Sequence, residues 1–542
     1  MDVKSANSEP KTSALDWTIA LALALFTIYY IRKTAVWHML PLEDALMLLR
    51  YSQHVAQGFG IRWNIGDPPV EGATDFLFMV AIALLMKIAH LGAILSARLL
   101  IAASHVASVA MLYLGMRRWY SWPVWACICV ALYLAEGIAI FQLSLGFGAP
   151  FYAMFALAAW MVVLSCLKVE VTARRGLLLG LFLLLTALTR PEGCFLAFFI
   201  LAALCYARGK LALRAVVPAA TVFVLFGGVY FIWRWHYFGY LFPNPFYLKG
   251  GGHIYLHSIS IAVLNMRSML LPVLPIALVE LFSRHWRRVV TAAIPVLGFT
   301  AIWVLLSNEN NYGMRFQYCV VPLALLSLPY CSQALQERFQ KFRVPLWGQV
   351  LVIALTFVVA RDYWAQLTGP NRIFMGSGAY HISEDLQPFK DRGYTIAASE
   401  AGTIPYFSEW RAIDTYGLND AEIVHNPHGL TPEYLQQNNP AIILYHKPDQ
   451  WGSSPYYQKM QATLEQYAET HNYELAAEWG TVPCDRHVWW VRRDLPERDQ
   501  FLAIIRKQPH FYLASNFLAQ DFRGVPYPDH CAETGIELTA SQ

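Results

Sequence analysis

Charged side chains are scarce in this sequence. Asp, Glu, Lys and Arg make up 14% of its 542 residues, against about 25% in an ordinary soluble domain. Hydrophobic residues make up 56%. This balance excludes a purely soluble globular chain. It predicts a polytopic membrane protein, because apolar runs long enough to cross a bilayer are buried in lipid.

Cysteine patterns of the zinc or redox kind are also missing. The nine cysteines form no CxxC pair and no cluster with histidine at zinc-ligand spacing, so no metal site is predicted. Seven lie in or beside apolar runs, where cysteine packs as a small hydrophobe. Cys484 and Cys531 lie in a hydrophilic stretch. We predict a disulfide between them, with two free thiols as the alternative.

The few charges are unevenly distributed. Residues 1–360 carry a net charge of +13, and residues 361–542 carry −9. We therefore predict a membrane domain over 1–361 and an acidic, water-soluble α/β domain over 362–542. The basic residues lie in short loops between apolar runs, which is typical of membrane topology signals and not of a nucleic-acid-binding surface. Within the acidic domain we predict strands at 394–398, 441–445 and 487–491, and helices at 432–437 and 457–467.

Clusters of Lys and Arg set the orientation of the predicted helices, because such clusters stay on the cytoplasmic side. The first apolar run has no cleavage site behind it and predicts a retained helix with a cytoplasmic amino terminus. Five further clusters are predicted to be cytoplasmic, at 117–118, 168–175, 208–214, 284–288 and 338–343.

One apolar run conflicts with this arrangement. Runs at 75–91 and 96–115 both precede the basic cluster at 117–118, and two crossings would leave that cluster outside. We assign 75–91, the shorter run, as an interfacial helix within one external loop, 38–95. Eleven crossings and an external carboxyl-terminal domain follow, with crossings centred near 24, 106, 130, 158, 182, 200, 224, 270, 298, 325 and 353.

By this count, charged residues from several external stretches meet at one face of the membrane. Carboxylates and cations at a lipid boundary suit an anionic headgroup and a proton acceptor, since Arg and Lys bind phosphate and a carboxylate takes a proton from a hydroxyl. Each residue taken singly also fits an ordinary helix anchor. The stretches are 38–95, 146–150, 189–193, 234–257 and 307–317, and their charged residues include Glu43, Asp44, Arg50, Glu71, Asp75, Arg190, Glu192, Lys249 and Arg315.

Several motifs, read in order, carry a family resemblance. The acidic pair Glu43-Asp44 is followed by GFGIRWN at 58–64 and VEGATD at 70–75. Further matches are LTRPEG at 188–193, PNPFYLK at 243–249, Arg315-Phe316, EAGTIPYF at 400–407 and IDTYGLND at 413–420. Together they resemble the GT-C glycosyltransferase superfamily over about residues 40–430 and, within it, arabinofuranosyltransferases of the AftB type.

The resemblance implies a polytopic α-helical, GT-C-like fold and an inverting enzyme. Its donor would be a polyprenyl-phosphate sugar, carrying a pentose such as D-arabinofuranose, outside the cytoplasmic membrane. The acceptor would be a glycan or a pilin-like protein. The family's catalytic carboxylates correspond to Glu43 and Asp44. No cofactor is implied, although a divalent cation bridging this pair to the phosphate stays open.

Other residues in the matched motifs and external stretches are assigned to substrate. We predict that Arg190, Lys249 and Arg315, which are external by the crossing count, bind the donor phosphate. We favour Asp44 as the base because its side chain is the shorter and better fixed. Further substrate contacts are expected at Arg50, Asn64, Glu71, Asp75, Glu192, Asn244, Tyr247, Glu400, Tyr406 and Asp414.

The sequence departs from the family pattern at four positions. Glu43 replaces an Asp, Ala73 a Tyr and Asp75 an Asn. Gly148 stands where a Glu is often found. These changes bear on the identity of the sugar more than on the type of reaction.

Two other functions are compatible with the composition. One is a transporter or flippase of lipid-linked sugars, but the charges fall outside the helices rather than in mid-membrane, where ion pathways lie. The other is a non-catalytic glycan-assembly partner, in which aromatic residues of the external domain would bind glycan.

Overall fold

The computed structural model describes residues 12–249, 254–308, 310–338, 343–368, 377–448, 454–482 and 485–507. We call the part up to residue 368 the helical block and the part from residue 377 the carboxyl-terminal block. Cys484 and Cys531, and with them the predicted disulfide, lie outside the described residues.

Apolar runs make the helical block almost entirely α-helical. Its first helix begins with a capping box, in which the Ser13 hydroxyl and the Asp16 carboxylate each accept from the other residue's backbone N–H. The helices are α1 (Ala14–Thr34), α2 (Glu43–Gln57), α3 (Phe76–Ala89), α4 (Ala93–Tyr120), α5 (Val124–Ala135), α6 (Ala139–Leu145), α7 (Ala149–Lys168), α8 (Ala173–Thr189), α9 (Gly193–Arg208), α10 (Leu213–Phe238), α11 (Asn244–Lys249), α12 (Leu256–Leu270), α13 (Leu274–Leu281), α14 (Trp286–Ala301), α15 (Val321–Ser327), α16 (Gln333–Arg338) and α17 (Leu346–Thr368).

Not every predicted crossing has a full-length helix. Within the described residues, seven segments are long and apolar enough to span a membrane, or eight if the pair α12 and α13, bent by 96°, forms one span. A helix lies at each of the eleven predicted centres. However, α8 has only 17 residues and α15 only 7, and α9 and α10 belong to one long apolar segment. The predicted count of eleven therefore exceeds the number of helices that meet the length requirement.

Contacts at the two ends of α1 and α4 fit the prediction that α3 does not cross. Asp16 at the start of α1 pairs with Arg117 near the end of α4 at 2.6 Å. At the opposite ends, Arg98 of α4 donates to the carbonyl of Trp37, just after α1. The intervening chain therefore leaves and returns at one end of the block. α3 itself has 14 residues and is about 21 Å long, against about 30 Å for a hydrocarbon core.

The outer helices of the block present apolar surface. Val229 of α10 is 68% exposed and Leu346 of α17 is 76% exposed, whereas Trp160 of the central helix α7 is fully buried. Faces of this kind on soluble proteins mark contact surfaces, and here they run along helices of membrane-spanning length. They are the surfaces expected to contact lipid.

The carboxyl-terminal block is a mixed sheet with surrounding helices. Its strand order is β2-β1-β3-β5-β4. The three predicted strands and two predicted helices are confirmed, whereas β2 and β4 were not predicted. The strands are β1 (Thr395–Ala398), β2 (Arg411–Asp414), β3 (Ile442–Pro448), β4 (Tyr473–Val482) and β5 (Asp485–Arg492), and the helices are α18 (Ser377–Leu386), α19 (Thr403–Ser408), α20 (Ala421–His425), α21 (Pro432–Asn438), α22 (Pro455–Thr470) and α23 (Arg498–Lys507).

The strand directions create a position suited to a site. β1 is parallel to β2 on one side and to β3 on the other, and β5 is antiparallel to both β3 and β4. The chain moves from β1 to β2 and then back across to β3. In open α/β sheets, ligands bind beyond the carboxyl ends of strands at such a switch point.

The carboxyl-terminal block shares a core with the helical block. Leu49 and Trp63, from the 38–95 loop, belong to one apolar cluster with Ile396 and Trp489 from the sheet. The predicted boundary at 361 lies inside α17, which continues to Thr368. The 38–95 loop therefore packs on the sheet and joins the helical block to the carboxyl-terminal block.

Candidate active site

The 38–95 loop contacts each of the other four stretches that are predicted to be external. α2 begins at Glu43, so Glu43 and Asp44 lie in its first turn, where negative charge is favoured by the helix dipole. The predicted convergence of the five stretches at one end of the block is what the structure shows. The contacts are Gly146 against Pro41, Asp75 with Arg190, Glu71 with Arg234 and Asp44 with Arg315.

Asp44 lies among cations. Its Oδ2 accepts a hydrogen bond of 2.6 Å from Nη2 of Arg315, and its side chain is 28% exposed. Burial alone would raise the pKa of the Asp44 carboxyl. Three cations, Arg315, Lys249 and Arg190, outweigh this and hold that pKa below the ordinary value. All three predicted phosphate-binding residues are therefore near one carboxylate.

Arg190, at the turn between α8 and α9, lies between two further carboxylates. It is 3.5 Å from Asp75 and 3.3 Å from Glu192. Its guanidinium also lies 5.1 Å from the centre of the Phe316 ring, and that of Arg315 lies 4.9 Å from the centre of the same ring. One aromatic ring thus supports both arginines. Burial raises the pKa of Asp75 despite the opposing effect of Arg190.

Lys249 completes the group from the end of α11. Its Nζ lies 5.4 Å from the centre of the Tyr416 ring in the carboxyl-terminal block. The Arg315 guanidinium lies over the Phe147 ring, with its central carbon 3.8 Å from the ring centre. The Nε of Arg315 is buried and has no hydrogen-bond partner among the described residues. A buried donor of this kind is available to a ligand.

Glu43 has a different environment from its neighbour. Its Oε2 accepts from the backbone N–H groups of Gly402 and Thr403 at 2.6 and 2.8 Å, and its Oε1 accepts from the Thr403 hydroxyl. Burial, followed by the negative charge of Glu400, raises the pKa of Glu43 to about 7. A Cβ added at Gly402 would lie 2.4 Å from the Glu43 carbonyl oxygen, so this contact requires glycine.

Two of the predicted substrate residues, Arg50 and Asn64, make structural links. Arg50 is 4% exposed and donates to the carbonyls of Trp63, Pro405 and Trp410 and to the Asn64 side chain. Asn64 also bonds the backbone of β2. The polar atoms of both residues join the loop to the carboxyl-terminal block, and their contact with substrate stays a prediction.

Glu71 and Asn244 are joined to each other within the fold. Glu71 forms a buried, two-point ion pair with Arg234 at the end of α10. The backbone N–H of Asn244 donates to the Glu71 carbonyl at 3.1 Å. Arg234 satisfies the Glu71 carboxylate, and the substrate role of Glu71 stays a prediction. The Asn244 side chain is buried, and its amide nitrogen has no hydrogen-bond partner among the described residues.

The remaining predicted substrate residues belong to the carboxyl-terminal block or pack on it. Asp414 is 1% exposed and accepts from the backbone of the following loop and from Asn419, and Tyr406 is a core residue at 7% exposure. Both side chains are therefore buried in the fold, and their contact with substrate stays a prediction. Tyr247 is 38% exposed and packs edge-on against His425, so it stays available at the surface.

Glu400 follows β1 at the switch point. Its Oε1 lies 3.0 Å from Nε2 of His487 and 3.8 Å from Nδ1 of His446. Burial would raise the pKa of Glu400, but the two histidines hold it at about 2. Neither histidine was singled out in the sequence, where 40 residues separate them.

The structure accounts for one departure from the family pattern. A Cβ at Gly148 would lie 2.6 Å from the ring of Phe78. A glutamate at this position would require Phe78 to move. The Phe78 ring of α3 thus occupies the space that a side chain at position 148 would need.

Comparisons with known proteins bear on the fold. No curated protein matches the sequence. One family model, a domain of unknown function (DUF8728), matches residues 375–500. ArnT from Cupriavidus metallidurans in the apo state is structurally similar, with a TM-score of 0.59 and 14% identity over 88% of this chain and 98% of that chain. The same protein bound to undecaprenyl phosphate has a TM-score of 0.59 and 13% identity, again covering 88% of this chain and 98% of that chain.

A further likeness is weaker. Oligosaccharyltransferase AglB from Archaeoglobus fulgidus, in complex with an inhibitory peptide and a dolichol-phosphate, has a TM-score of 0.47 and 10% identity, covering 85% of this chain and 73% of that chain. The fold of this chain is therefore similar to that of ArnT, mostly helical with several long apolar helices, and it has a small sheet in the carboxyl-terminal block.

Proposed function

We propose that this protein is an inverting glycosyltransferase that uses a polyprenyl-phosphate sugar. The observation that carries the proposal is the grouping of Arg190, Lys249 and Arg315 around Asp44 at one end of the helical block. Cations held beside a carboxylate suit a phosphate next to a reacting hydroxyl. The undecaprenyl phosphate bound to the structurally similar ArnT supports a lipid phosphate as the ligand.

The transfer needs one base and a stabilised leaving group. Asp44 takes the proton of the acceptor hydroxyl while the acceptor oxygen attacks the anomeric carbon. The bond from that carbon to the phosphate oxygen breaks, and its electron pair stays on the phosphate. One displacement inverts the configuration. Arg315 exchanges its ion pair with Asp44 for the phosphate, so donor binding frees the base and relieves the depression of its pKa.

Glu43 is a positioning residue in this scheme. Its two oxygens bind Gly402 and Thr403, which fixes the start of α2 and therefore the backbone of Asp44. Asp75 and Glu192 orient Arg190 in the same way. Of the adjacent acids, only Asp44 is directed at the cations by its hydrogen bonds.

The motif resemblance to AftB-type enzymes favours a pentose such as D-arabinofuranose as the sugar. A glycan or a pilin-like protein is the proposed acceptor. The basic clusters favour the cytoplasmic membrane with the amino terminus inside and the carboxyl-terminal block periplasmic.

Sugar transfer by the purified protein tests the proposal. Synthetic polyprenyl-phosphate arabinofuranose is supplied in sealed proteoliposomes with a glycan acceptor, and the Asp44→Asn variant is assayed beside the wild type. We expect transfer by the wild type only. Movement of the intact donor across the bilayer without transfer would favour a flippase, and glycan binding without either would favour an assembly partner.

A further inference from the structure

Glu400, His446 and His487 lie together at the carboxyl edge of the sheet, outside the Asp44 cation cluster. The carboxylate oxygen and the two imidazole nitrogens all lie within 4.8 Å of one another. We propose that these three residues bind a divalent transition-metal ion of the zinc type. The proposal does not depend on sugar transfer.

The spacing of the donor atoms suits ligation. Glu400 Oε1 is 3.0 Å from His487 Nε2 and 3.8 Å from His446 Nδ1. Zinc binds nitrogen and oxygen ligands at about 2.0–2.2 Å, which separates neighbouring ligands in a tetrahedral site by about 3.4 Å. The observed separations lie on either side of that value. Small side-chain movements therefore suffice to bring all three atoms into one coordination sphere.

The backbone holds the two histidines opposite each other. His446 of β3 pairs with His487 of the antiparallel strand β5, and their rings stack with centroids 4.8 Å apart. The backbone N–H of His446 donates to the Ser399 hydroxyl, one residue before Glu400. Ligation requires the rings to turn toward the carboxylate, and both have room, since their side chains are 24% and 23% exposed.

The ligand set selects the class of metal. Two imidazoles with one carboxylate suit zinc or a similar transition metal, whereas calcium and magnesium prefer all-oxygen sites. Three protein ligands also leave a coordination position open to water or another molecule. Among the described residues the cluster therefore has the three protein ligands of an exchangeable site.

The position links the metal to the candidate active site. Gly402, whose N–H binds Glu43, lies two residues after Glu400. An ion held between β1, β3 and β5 would fix the segment from Glu400 to Gly402 and so the loop that carries Asp44. Metal occupancy would then stabilise the contact between the two blocks.

Metal binding to the full chain tests the inference directly. The protein is purified in detergent without a polyhistidine tag, stripped with chelator and titrated with Zn²⁺. We expect one equivalent for the wild type and for His428→Ala, an exposed histidine of the same block outside the cluster. His446→Ala, His487→Ala and Glu400→Gln should each weaken binding by at least about 100-fold, as expected for loss of a direct ligand.

Cobalt supplies an independent readout. Co²⁺ in the wild type should give a visible spectrum of low-symmetry ligation that Zn²⁺ abolishes, and Zn²⁺ should raise the thermal midpoint of the wild type but not of Glu400→Gln, which keeps the size of the side chain. A stripped wild type that takes up no zinc, or variants that bind as tightly as the wild type, would overturn the site.

Discussion

Two carboxylates of the 38–95 loop, Glu71 and Asp44, differ in how arginine matches their charge. Glu71 and Arg234 form a one-to-one pair, with side chains 10% and 6% exposed, and every carboxylate oxygen has a partner. Asp44 is 28% exposed and is influenced by three cations, of which Arg315 touches it. The first pair is complete in itself. In the second region Arg190 also pairs with Asp75 and Glu192, and the Nε of Arg315 has no hydrogen-bond partner among the described residues.

The comparison teaches how a structural ion pair differs from a ligand site. A buried carboxylate matched by one arginine leaves nothing to bind a further anion, and breaking it exposes an uncompensated charge. A carboxylate near several cations can exchange one of them with an anionic ligand, because arginine and lysine form charge-assisted hydrogen bonds with phosphate as well as with carboxylate. We therefore expect changes at Asp44 to affect turnover and changes at Glu71 to affect stability.

Replacing Asp44 should give the largest effect. Asp44→Asn keeps the size of the side chain but removes its basicity, so turnover should fall by about 10²–10⁴-fold, the usual contribution of general base catalysis. Single-turnover sugar transfer measures this, with donor binding and protein yield as controls. Glu43→Gln should lower turnover less. Near-native turnover in both amide variants would move the base elsewhere, with Asp75 and Glu192 next to test.

Breaking the Glu71–Arg234 pair should cost stability. Glu71→Gln leaves a buried guanidinium without its carboxylate, at a cost of about 3–5 kcal/mol in the free energy of unfolding. Turnover per folded molecule should stay at the wild-type level. Denaturant titration in mixed micelles measures the loss, and the double variant Glu71→Leu, Arg234→Met should lose less. A turnover defect as large as that of Asp44→Asn would erase the distinction between the regions.

Removing single cations should weaken donor binding. Arg190→Ala, Lys249→Ala and Arg315→Ala should each cost about 2–5 kcal/mol, if each contacts a buried phosphate. Equilibrium binding of the polyprenyl-phosphate sugar in nanodiscs measures this. Lys87→Ala, which removes an exposed lysine of α3, is the matched control. If all three variants bind the donor like that control, these residues only anchor the helices.

The smallest expected effect is on pH dependence. The pKa of Glu43 is raised from 4.5 to about 7, so the folded protein holds this proton more tightly than the unfolded chain does. That stabilisation is complete below pH 4.5 and is lost as the pH rises through about 7. Between pH 4.5 and about 7, the thermal midpoint of Glu43→Gln should therefore fall less with rising pH than that of the wild type. An identical slope in the wild type and the variant would contradict the assignment.

Much of the architecture could be predicted because it follows from apolar periodicity and basic loops. Because the Arg117-Arg118 cluster was assigned to the cytoplasmic side, only one of the two apolar runs before it could cross the membrane. The contacts of α1 with α4 agree with this. The convergence of Asp44 with Arg190, Lys249 and Arg315 followed from the same count. What the count could not supply was helix length, since short helices such as α15 are still apolar runs.

The roles of individual polar residues could not be predicted in the same way. Glu71 and Arg234 are 163 residues apart, and nothing local shows that one satisfies the other. Arg50 and Asp414 looked like external polar groups, yet the strand β2 and the loops near it bury them. Phe316 contacts both Arg190 and Arg315 and belongs to the matched Arg315-Phe316 motif, so its contact with arginine could have been predicted from the sequence.

The configuration of the transferred sugar tests the central claim most directly. Wild-type protein in nanodiscs is given synthetic polyprenyl-phosphate arabinofuranose of defined anomeric configuration and a glycan acceptor, and the product linkage is determined by NMR. A single displacement assisted by Asp44 predicts complete inversion at the anomeric carbon, with no product from Asp44→Asn that still binds the donor. Retention of configuration, or full transfer by Asp44→Asn, would contradict the account.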